Sequence, residues 1–391
     1  MSDRQVQVKL DQSWMGILSC STAMRVLVVN AGSSSIKLSL LDEDDREIAR
    51  REIDAPHTQL NAEQRAAMTD GLADADVVAH RIVHGGERFR SAVLVDAEVR
   101  GELEQTVALA PLHQPKSLAA LDAIAQVFGD LPTVACFDTA FHATLPPAVS
   151  TYAIPAAWRE RWGLRRYGFH GLSHSWIARR APQLLARAPD GLRIVSCHLG
   201  AGSSLCAIRD GVSVDTTMGF TPLEGLVMAT RSGSIDPGII LWLLTQSKLT
   251  RSEIADGLEH ESGLLGLSGS ADMREIIERS DASDQTARLA LDVFLHHLRA
   301  GVAAITATLG GLDVLAFTGG IGEHAAAIRA ATADGLRYLG VEINGELNQA
   351  PYQDVDISTE RAPVRTLVIS AREDLEIAHQ TRALLSNTQP G

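Results

Sequence analysis

The chain has 391 residues, of which 45% are hydrophobic and 21% charged. This length predicts two domains, and the apolar fraction excludes a disordered or low-complexity protein. The formal net charge of −13 offers no basic face, so no nucleic-acid partner is expected. No apolar run approaches the ~18 residues of a membrane span, and we expect a cytoplasmic protein without a membrane partner.

Neither the cysteines nor the amino terminus indicates an oxidising environment. Cys20, Cys136, Cys197 and Cys206 form no C-x-x-C pair, which favours buried thiols in a reducing compartment over a disulfide framework or a zinc site. Residues 1–23 are mixed in composition, and their apolar stretch is too short for a secretory signal. We expect these residues to form a disordered extension.

The first half of the chain alternates short apolar strands with helical patterns. Strands are predicted over 25–30, 36–41, 76–83 and 132–137, and helices over 61–73, 97–109 and 115–128. Pro146 and Pro147 interrupt this pattern where the composition shifts, which predicts a domain boundary near residue 150.

The second half repeats the alternation, with a Gly/Thr-rich loop over 215–233. Strands are predicted over 194–199, 205–208, 313–318 and 364–369, and helices over 155–162, 173–187, 235–247, 284–309, from about 323, and over 374–385.

An internal repeat links the two halves. Residues 27–42 (LVVNAGSSSIKLSLLD) and 196–211 (SCHLGAGSSLCAIRDG) both read as a strand, a turn of small residues, a strand and an acidic turn. Two copies of a phosphate-sized loop predict a duplicated fold that binds one phosphorylated ligand. Chance similarity between Gly-Ser turns is the alternative.

The first of these turns has the composition of a phosphate-binding loop. Residues 30–37 offer successive backbone N–H groups, three hydroxyls and one ammonium group. Strand alternation places Ser33, Ser35 and Lys37 on one face, with Asn30 before the turn. A solvated hairpin is the alternative, although a lysine inside an apolar strand disfavours it.

Charged residues follow the ends of apolar strands, where ligands gather in α/β sheets. Arg81 lies in the third predicted strand and Arg231 in a glycine-rich loop, and two such arginines would neutralise a transferring phosphoryl group. Asp138 follows the fourth strand and Glu373 opens the last helix, so both could hold Mg²⁺ through water. Charge compensation at a helix N-terminus is the alternative interpretation of Glu373.

Two further segments indicate ligand contacts. His170, beside Arg165 and Arg166, is a candidate donor to a substrate oxygen. Residues 319–322 (GGIG) follow a strand and open a helix, which favours close approach to an anion or a nucleoside diphosphate. The chain has no Gly-Lys dipeptide, which excludes a P-loop, and the GGIG segment lacks the spacing of a dinucleotide site.

Taken in order, these segments resemble the acetate kinase family, within the superfamily of sugar kinases, actin and Hsp70-type ATPases. The resemblance covers roughly 24–385. It rests on N-A-G-S-S-S-x-K at 30–37, H-R-x-V-H-G-G-E at 80–87, A-P-L-H at 110–113, F-D-T-A-F-H at 137–142, Y-G-F-H-G-x-S-H at 167–174, H-L-G-x-G-S-S at 198–204, D-T-T-M-G-F-T-P-L-E-G at 215–225, R-S-G at 231–233 and F-T-G-G-I-G-E at 317–323.

The resemblance implies an α/β, duplicated actin-like (RNase H-like) two-domain fold with an interdomain active-site cleft. The N-terminal domain would span 24–150 and be joined by the last helix, about 371–386; the nucleotide-binding domain would span 151–370. The implied reaction is the reversible, ATP-dependent phosphorylation of acetate to acetyl phosphate by direct in-line transfer. Mg²⁺, which Mn²⁺ could replace, would assist, ATP or ADP would be the co-substrate, and the enzyme would be a homodimer.

The resemblance also implies roles for individual residues. The catalytic residues would be Arg81, Asp138, His170 and Arg231, and acetate would contact Arg81, Val83, Leu112, Phe169 and Pro222. Asn30 and Glu373 would hold the metal. Phosphate and nucleotide contacts would come from Asn30, Ser33, Ser35, Lys37, His198, Leu199, Gly200, Ala201, Gly202, Asp272, Met273, Arg274, Gly319, Gly320, Ile321, Gly322 and His324.

The sequence departs from the family pattern mainly on the nucleotide side. Ala201 and His324 stand where the family usually has Asn, Ser234 where it has Asp, and Gln114 where it has Asn, while the stretch over 268–274 is one residue shorter. A propionate kinase of the same family is one alternative, because one methylene changes binding by only ~1–3 kcal/mol. A degenerate or nucleotide-switch member of the actin–Hsp70 superfamily is the other.

Overall fold

The computed structural model describes residues 24–31, 35–54, 71–110, 114–129, 131–349 and 354–387. They form two compact units, one reaching Ala140 and resuming at Arg372, the other spanning Phe141–Ala371. The sequence pattern placed this division near residue 150. Of the helix predicted over 61–73, only 71–73 are described, and they form a turn.

Within the described residues, twelve strands build two sheets. They are β1 (Val26–Ala31), β2 (Ser35–Leu41), β3 (Glu47–Asp54), β4 (Val77–Ile82), β5 (Val93–Leu94), β6 (Thr133–Phe137), β7 (Arg193–Leu199), β8 (Ser203–Arg209), β9 (Val212–Thr216), β10 (Val314–Thr318), β11 (Val355–Asp356) and β12 (Arg365–Val368).

The α-helices are α1 (Ala97–Gln105), α2 (Gln114–Val127), α3 (Pro147–Ser150), α4 (Ala156–Trp162), α5 (Gly171–Leu184), α6 (Pro237–Gln246), α7 (Arg251–His260), α8 (Gly263–Ser268), α9 (Met273–Asp281), α10 (Gln285–Leu309), α11 (Gly319–His324), α12 (Ala326–Gly335), α13 (Gly345–Gln349) and α14 (Glu373–Asn387). Short 3₁₀ turns span Thr106–Leu109, Ala140–Thr144 and Arg337–Leu339.

The two sheets have the same topology. The first runs β3-β2-β1-β4-β6-β5 and the second, read from its other edge, β9-β8-β7-β10-β12-β11. In each sheet three antiparallel strands are followed by two parallel strands and a short antiparallel edge strand. This repeat confirms the predicted α/β duplication.

Alternation along the strands of the first unit separates its two faces. Leu27 and Val29 of β1 pack with Leu38 of β2 and Ile124 of α2 in one core cluster. The opposite face carries Val28 and Asn30 of β1 with their β2 partners Ser39 and Lys37, and α14 contacts the strands of this sheet. A layered arrangement of this kind buries both faces of the parallel strands.

The core of the second unit is built around the long helix α10. Phe294, Leu298, Val302 and Ile305 of this helix pack against the second sheet in one apolar cluster. By length and composition α10 is also the one described helix that could cross a membrane, which the sequence pattern did not anticipate. Its packing in this cluster identifies it as a core helix.

Candidate active site

In the first unit, four polar side chains meet at the carboxyl end of the central strands. Asn30 lies near the end of β1, Arg81 lies near the end of β4, and Asp138 follows β6. Glu373 is the first residue of α14, the helix that covers this face. The carboxyl ends of parallel strands meet at one edge of a sheet, which explains how residues far apart in sequence come together.

Arg81 is the centre of this cluster. Its Nη2 donates to Asp138 Oδ2 at 2.6 Å and its Nε to Oδ1 at 3.2 Å, which is a bidentate ion pair. Its Nη1 donates to Asn30 Oδ1 at 3.3 Å, and Glu373 Oε2 lies 3.8 Å from its Nε. The Asn30 amide in turn donates to Glu373 at 3.2 Å. These contacts join the four residues predicted for phosphoryl and metal chemistry in this unit.

The Arg81–Asp138 pair is charged at neutral pH. Burial raises the pKa of the Asp138 carboxyl to about 6, with Arg81 opposing the shift and Glu373 adding to it. Burial alone would lower the pKa of Arg81, but Asp138 and Glu373 together raise it above its ordinary value. Asp138 is only 1% exposed, so its negative charge depends on the arginine.

Two of the remaining predicted residues of this unit, Ser35 and Lys37, lie on β2. Ser35 donates to Glu52 at 2.8 Å, and the half-exposed Lys37 lies 3.9 Å from the same carboxylate. Lys37 is also the cross-strand partner of Asn30, which places it beside the Arg81 cluster. Val83 is buried just after β4. Ser33 and Leu112 lie outside the described residues.

In the second unit, His170 and Arg231 converge on Gly202. A Cβ built at residue 202 would lie 2.9 Å from Arg231 Nη2 and 3.1 Å from His170 Nε2. A side chain at residue 202 would therefore displace the end of Arg231 and press against the His170 ring. The structure therefore brings together the two predicted catalytic residues of this unit at the turn between β7 and β8.

Arg231 is fixed by the loop that carries the predicted acetate contact Pro222. Its Nη1 donates to the Pro222 carbonyl at 2.7 Å, and burial lowers its pKa although Glu259 opposes the shift. The carbonyl is neutral, so this hydrogen bond holds the guanidinium without compensating its charge. Its positive charge is therefore available to an anionic ligand.

A second arginine anchors the same loop from the other side. Arg166 Nη1 donates to three successive carbonyls, those of residues 216–218, at 3.0 to 3.2 Å. Its Nη2 donates to Glu224 at 2.7 Å, and Tyr152 donates to the same carboxylate. The predicted acetate residue Phe169 is buried nearby, and its carbonyl accepts from the ring of His142 at 3.0 Å.

The two glycine loops predicted for nucleotide lie against each other. A Cβ at Gly319, whose φ is 77°, would lie 2.8 Å from the Leu199 carbonyl, and one at Gly200 would lie 3.8 Å from the Gly320 nitrogen. Helix α11 begins at Gly319, as the GGIG pattern predicts, and also contains Ile321 and Gly322. The parallel pairing of β7 with β10 also ends here, at His198 and Thr318.

The other predicted nucleotide residues have different surroundings. Asp272 caps α9 and pairs with Arg274 at 2.7 Å, and both are exposed. Met273 is 4% exposed and packs in the core, so its side chain has a structural role there. His324 ends α11, and the Ala201 carbonyl accepts from the amide of Ala229 at 3.1 Å.

Two of the departures from the family pattern have a clear structural role. Gln114 is fully buried; its amide donates to the His84 carbonyl at 3.0 Å and to Thr106 at 2.6 Å. Ser234 exchanges two hydrogen bonds with Gly225, at 2.9 and 3.1 Å. Each residue therefore joins two segments of its own unit.

Sequence reasoning missed a buried hydroxyl–imidazole network behind His170. Ser204 Oγ lies 2.9 Å from His170 Nδ1 and 2.8 Å from His174 Nε2. His174 Nδ1 lies 2.8 Å from the hydroxyl of Ser196. Ser196 and His198 alternate on one face of β7, and this was the signal in the sequence that could have indicated it.

Comparisons with known proteins identify the family of this chain. A family model described as the Acetokinase family matches residues 52–379. The acetate kinase of Trichormus variabilis is 42% identical over 405 residues, covering 93% of this chain and 100% of the relative. The crystal structure of Porphyromonas gingivalis acetate kinase has a TM-score of 0.85 and 33% identity, covering 93% of this chain and 100% of that one. A propionate kinase from Francisella tularensis has a TM-score of 0.84 and 34% identity, covering 91% and 98%.

The two-domain α/β fold and these relatives together define a phosphotransferase that acts on small carboxylic acids. The chain belongs to the acetokinase family. The predicted enzyme class, that of an acetate kinase, is confirmed at the level of the family, as is the use of ATP or ADP and a divalent metal.

Proposed function

We propose that this enzyme transfers a phosphoryl group reversibly between ATP and acetate, forming acetyl phosphate and ADP. The observation that carries the proposal is the Arg81–Asp138–Asn30–Glu373 cluster, which places cation, carboxylates and amide at one sheet edge. We further propose that the two compact units correspond to the predicted actin-like domains, 24–150 with 371–386 and 151–370.

The proposed mechanism needs no strong general base, because acetate is already ionised at pH 7. Catalysis then consists of alignment and charge neutralisation. Arg81, held by Asp138, and Arg231, held by the Pro222 carbonyl, would neutralise the oxygens of the transferring phosphoryl group. His170 would donate a hydrogen bond to the same oxygens.

We propose Mg²⁺ as the divalent metal, with Glu373 and Asn30 holding it and Asp138 contributing through water. The donor set fits, because Mg²⁺ prefers one or two carboxylates together with substrate phosphates and water. No group of three or more His, Cys, Asp or Glu side chains suited to a metal occurs in the described ranges, which agrees with such a sparse site. The ion would neutralise charge on the nucleotide phosphates.

Acetate is the proposed acid, and propionate is the competing one because the Francisella tularensis propionate kinase is almost as similar in structure. A hydroxylamine assay for acyl phosphate, with ATP, Mg²⁺ and either acid, tests both. Higher kcat/KM for acetate supports the proposal. Preference for propionate would transfer the assignment to that acid, and no product from folded enzyme would contradict a kinase of either kind.

We propose a homodimer in the cytoplasm. Helix α6 exposes Ile239, Leu241 and Trp242 by 48%, 64% and 60%, an apolar face that a second copy could cover. Light scattering after size exclusion should give a dimer for the native chain and a monomer for Leu241→Glu/Trp242→Glu. Tyr338→Glu, which changes an exposed residue elsewhere, is the matched control and should remain dimeric.

A further inference from the structure

The hydroxyl of Ser204 lies between two imidazole rings, and this position restricts their protons. A hydroxyl has one proton, so it can donate to only one of His170 Nδ1 and His174 Nε2 and must accept N–H from the other. Because Ser204 and His174 are both fully buried, water does not compete for these bonds. The protonation of His170 is therefore tied to that of His174.

His174 is neutral in this setting. Burial lowers its pKa well below the ordinary value, and the neighbouring rings of His142 and His198 lower it further. A neutral ring carries a single N–H, on either Nε2 or Nδ1. The hydroxyl of Ser196 lies 2.8 Å from Nδ1 and can donate to or accept from that nitrogen; when it donates, the proton of His174 is on Nε2.

Building on the proposed function, we propose that Ser204 and His174 are positioning residues that fix the tautomer of His170. His174 donates from Nε2 to Ser204, and Ser204 donates to His170 Nδ1. His170 then carries its proton on Nε2, the nitrogen that lies beside Gly202 and Arg231. In the opposite arrangement Nε2 of a neutral His170 would present a lone pair, which repels phosphoryl oxygens.

The surroundings of His170 favour this assignment. The ring of His198 lies 4.4 Å from that of His170, and its own Nδ1 is bonded to Ser173 at 2.8 Å. Arg231 lies beside the same turn. A hydrogen-bond donor at Nε2, rather than a lone pair, is what phosphoryl oxygens beside this turn would require.

The test is the tautomer of His170, measured by two-bond ¹H–¹⁵N correlation NMR on the full-length, ligand-free chain with ¹⁵N-histidine. Its signals are assigned with a His170→Gln variant. The native chain should show Nε2 protonated and Nδ1 unprotonated. Ser204→Ala should give a mixture of tautomers and lower kcat about three- to tenfold, the effect of one hydrogen bond, with both KM values within about twofold.

Two variants separate this role from a merely structural one. Ser204→Thr keeps the hydroxyl and should keep the native tautomer and kcat. Thr332→Ala is the control, because it removes another buried hydroxyl hydrogen bond of the same unit, Thr332 Oγ1 to the Ile328 carbonyl at 2.7 Å, in a helix that carries none of the residues of this network. It should lower thermal stability as much as Ser204→Ala and leave the His170 signals unchanged.

An Nδ1–H tautomer in the native chain, or an unchanged tautomer and kcat in Ser204→Ala, would overturn the proposal. If Ser204→Ala does not fold, Ser196→Ala, which leaves both contacts of Ser204 intact, should still shift the His170 signals toward a mixture; unchanged signals there would likewise overturn it. The NMR readout needs no turnover. A native chain that makes no acyl phosphate would therefore refute the proposed function without deciding the tautomer.

Discussion

Replacing Arg81 with alanine should separate the structural role of this residue from its catalytic one. The substitution leaves Asp138, 1% exposed, with a buried charge that its bidentate partner no longer balances. Removing one partner of a buried pair costs about 3–5 kcal/mol. For a unit of this size each kcal/mol lowers Tm by about 2–4 °C, so Arg81→Ala should lower Tm by about 6–20 °C.

The double variant Arg81→Ala/Asp138→Asn is the matched control. It removes the stranded charge together with its partner, so most of the lost Tm should return while turnover stays at least a hundredfold below native. Both quantities are measured by thermal unfolding and by the hydroxylamine assay. Native-like kcat in Arg81→Ala would exclude this arginine from the transition state, and failure of the double variant to regain stability would refute the stranded-charge argument.

The pH dependence of the loss gives a further check on the single variant. Without the guanidinium, burial and Glu373 both raise the pKa of Asp138. A folded state that binds a proton more tightly than the unfolded state gains stability as pH falls. The deficit of Arg81→Ala should therefore be smallest near pH 5 and largest near pH 8, and a deficit that does not change with pH would contradict a stranded carboxylate.

Three other predictions follow from the same geometry. In the native enzyme kcat/KM should fall as pH drops through about 6, because protonation of Asp138 weakens its hold on Arg81; a profile that is flat down to pH 5 would contradict this. Gly202→Ala should lower kcat at least tenfold by displacing Arg231, whose flexible end lies 2.9 Å from the new Cβ, with Tm almost unchanged; an equal loss of Tm would indicate a folding defect instead. Gly319 has a φ of 77°, and a Cβ there would press against the backbone of Leu199. Gly319→Ala should therefore lower Tm and raise KM for ATP. An unchanged KM for ATP would show that this loop does not contact the nucleotide.

The strands that could be predicted are those whose signal is local. Residues 25–30 and 194–199 are apolar and β-branched, and each precedes a Gly-Ser turn, so their strands were found almost to the residue. Strand β3 (Glu47–Asp54) was missed because five of its eight residues are charged. Its strand conformation depends on pairing with β2, for example Leu38 with Arg51, and no local pattern shows this.

The helices between β9 and β10 show a similar limit. Helix α10 was predicted over 284–309 because its apolar period is sustained and Asp284 caps it. Helix α9, which was not predicted as a helix, begins at Met273, and the sequence assigned that residue to the nucleotide site. Its side chain instead belongs to the apolar core, because the first residue of a capped amphipathic helix can face inward.

At the candidate site, residue types were easier to predict than their partners. Arg81 and Asp138 stand out as charges next to apolar strands, and the structure joins them in a bidentate pair. Ser204 does not stand out, because a serine in a Gly-Ser turn is ordinary. Its two imidazole partners come from the start of another helix, and only folding brings them to one hydroxyl.

The two copies of the repeated strand–turn–strand segment place different side chains on the strand that follows the turn. Each copy supplies a strand, a turn of small residues and a second strand with the same pairing. In the first copy that second strand carries Lys37, which remains half exposed and pairs with Glu52. In the second copy it carries Ser204, which is buried between two rings. Lys37 and Ser204 occupy different positions of the repeat, since Ser34 is the counterpart of Ser204 and Ala207 that of Lys37. The two copies therefore share the strand, turn and strand of the backbone, and their surroundings differ through the side chains that the rest of each unit supplies.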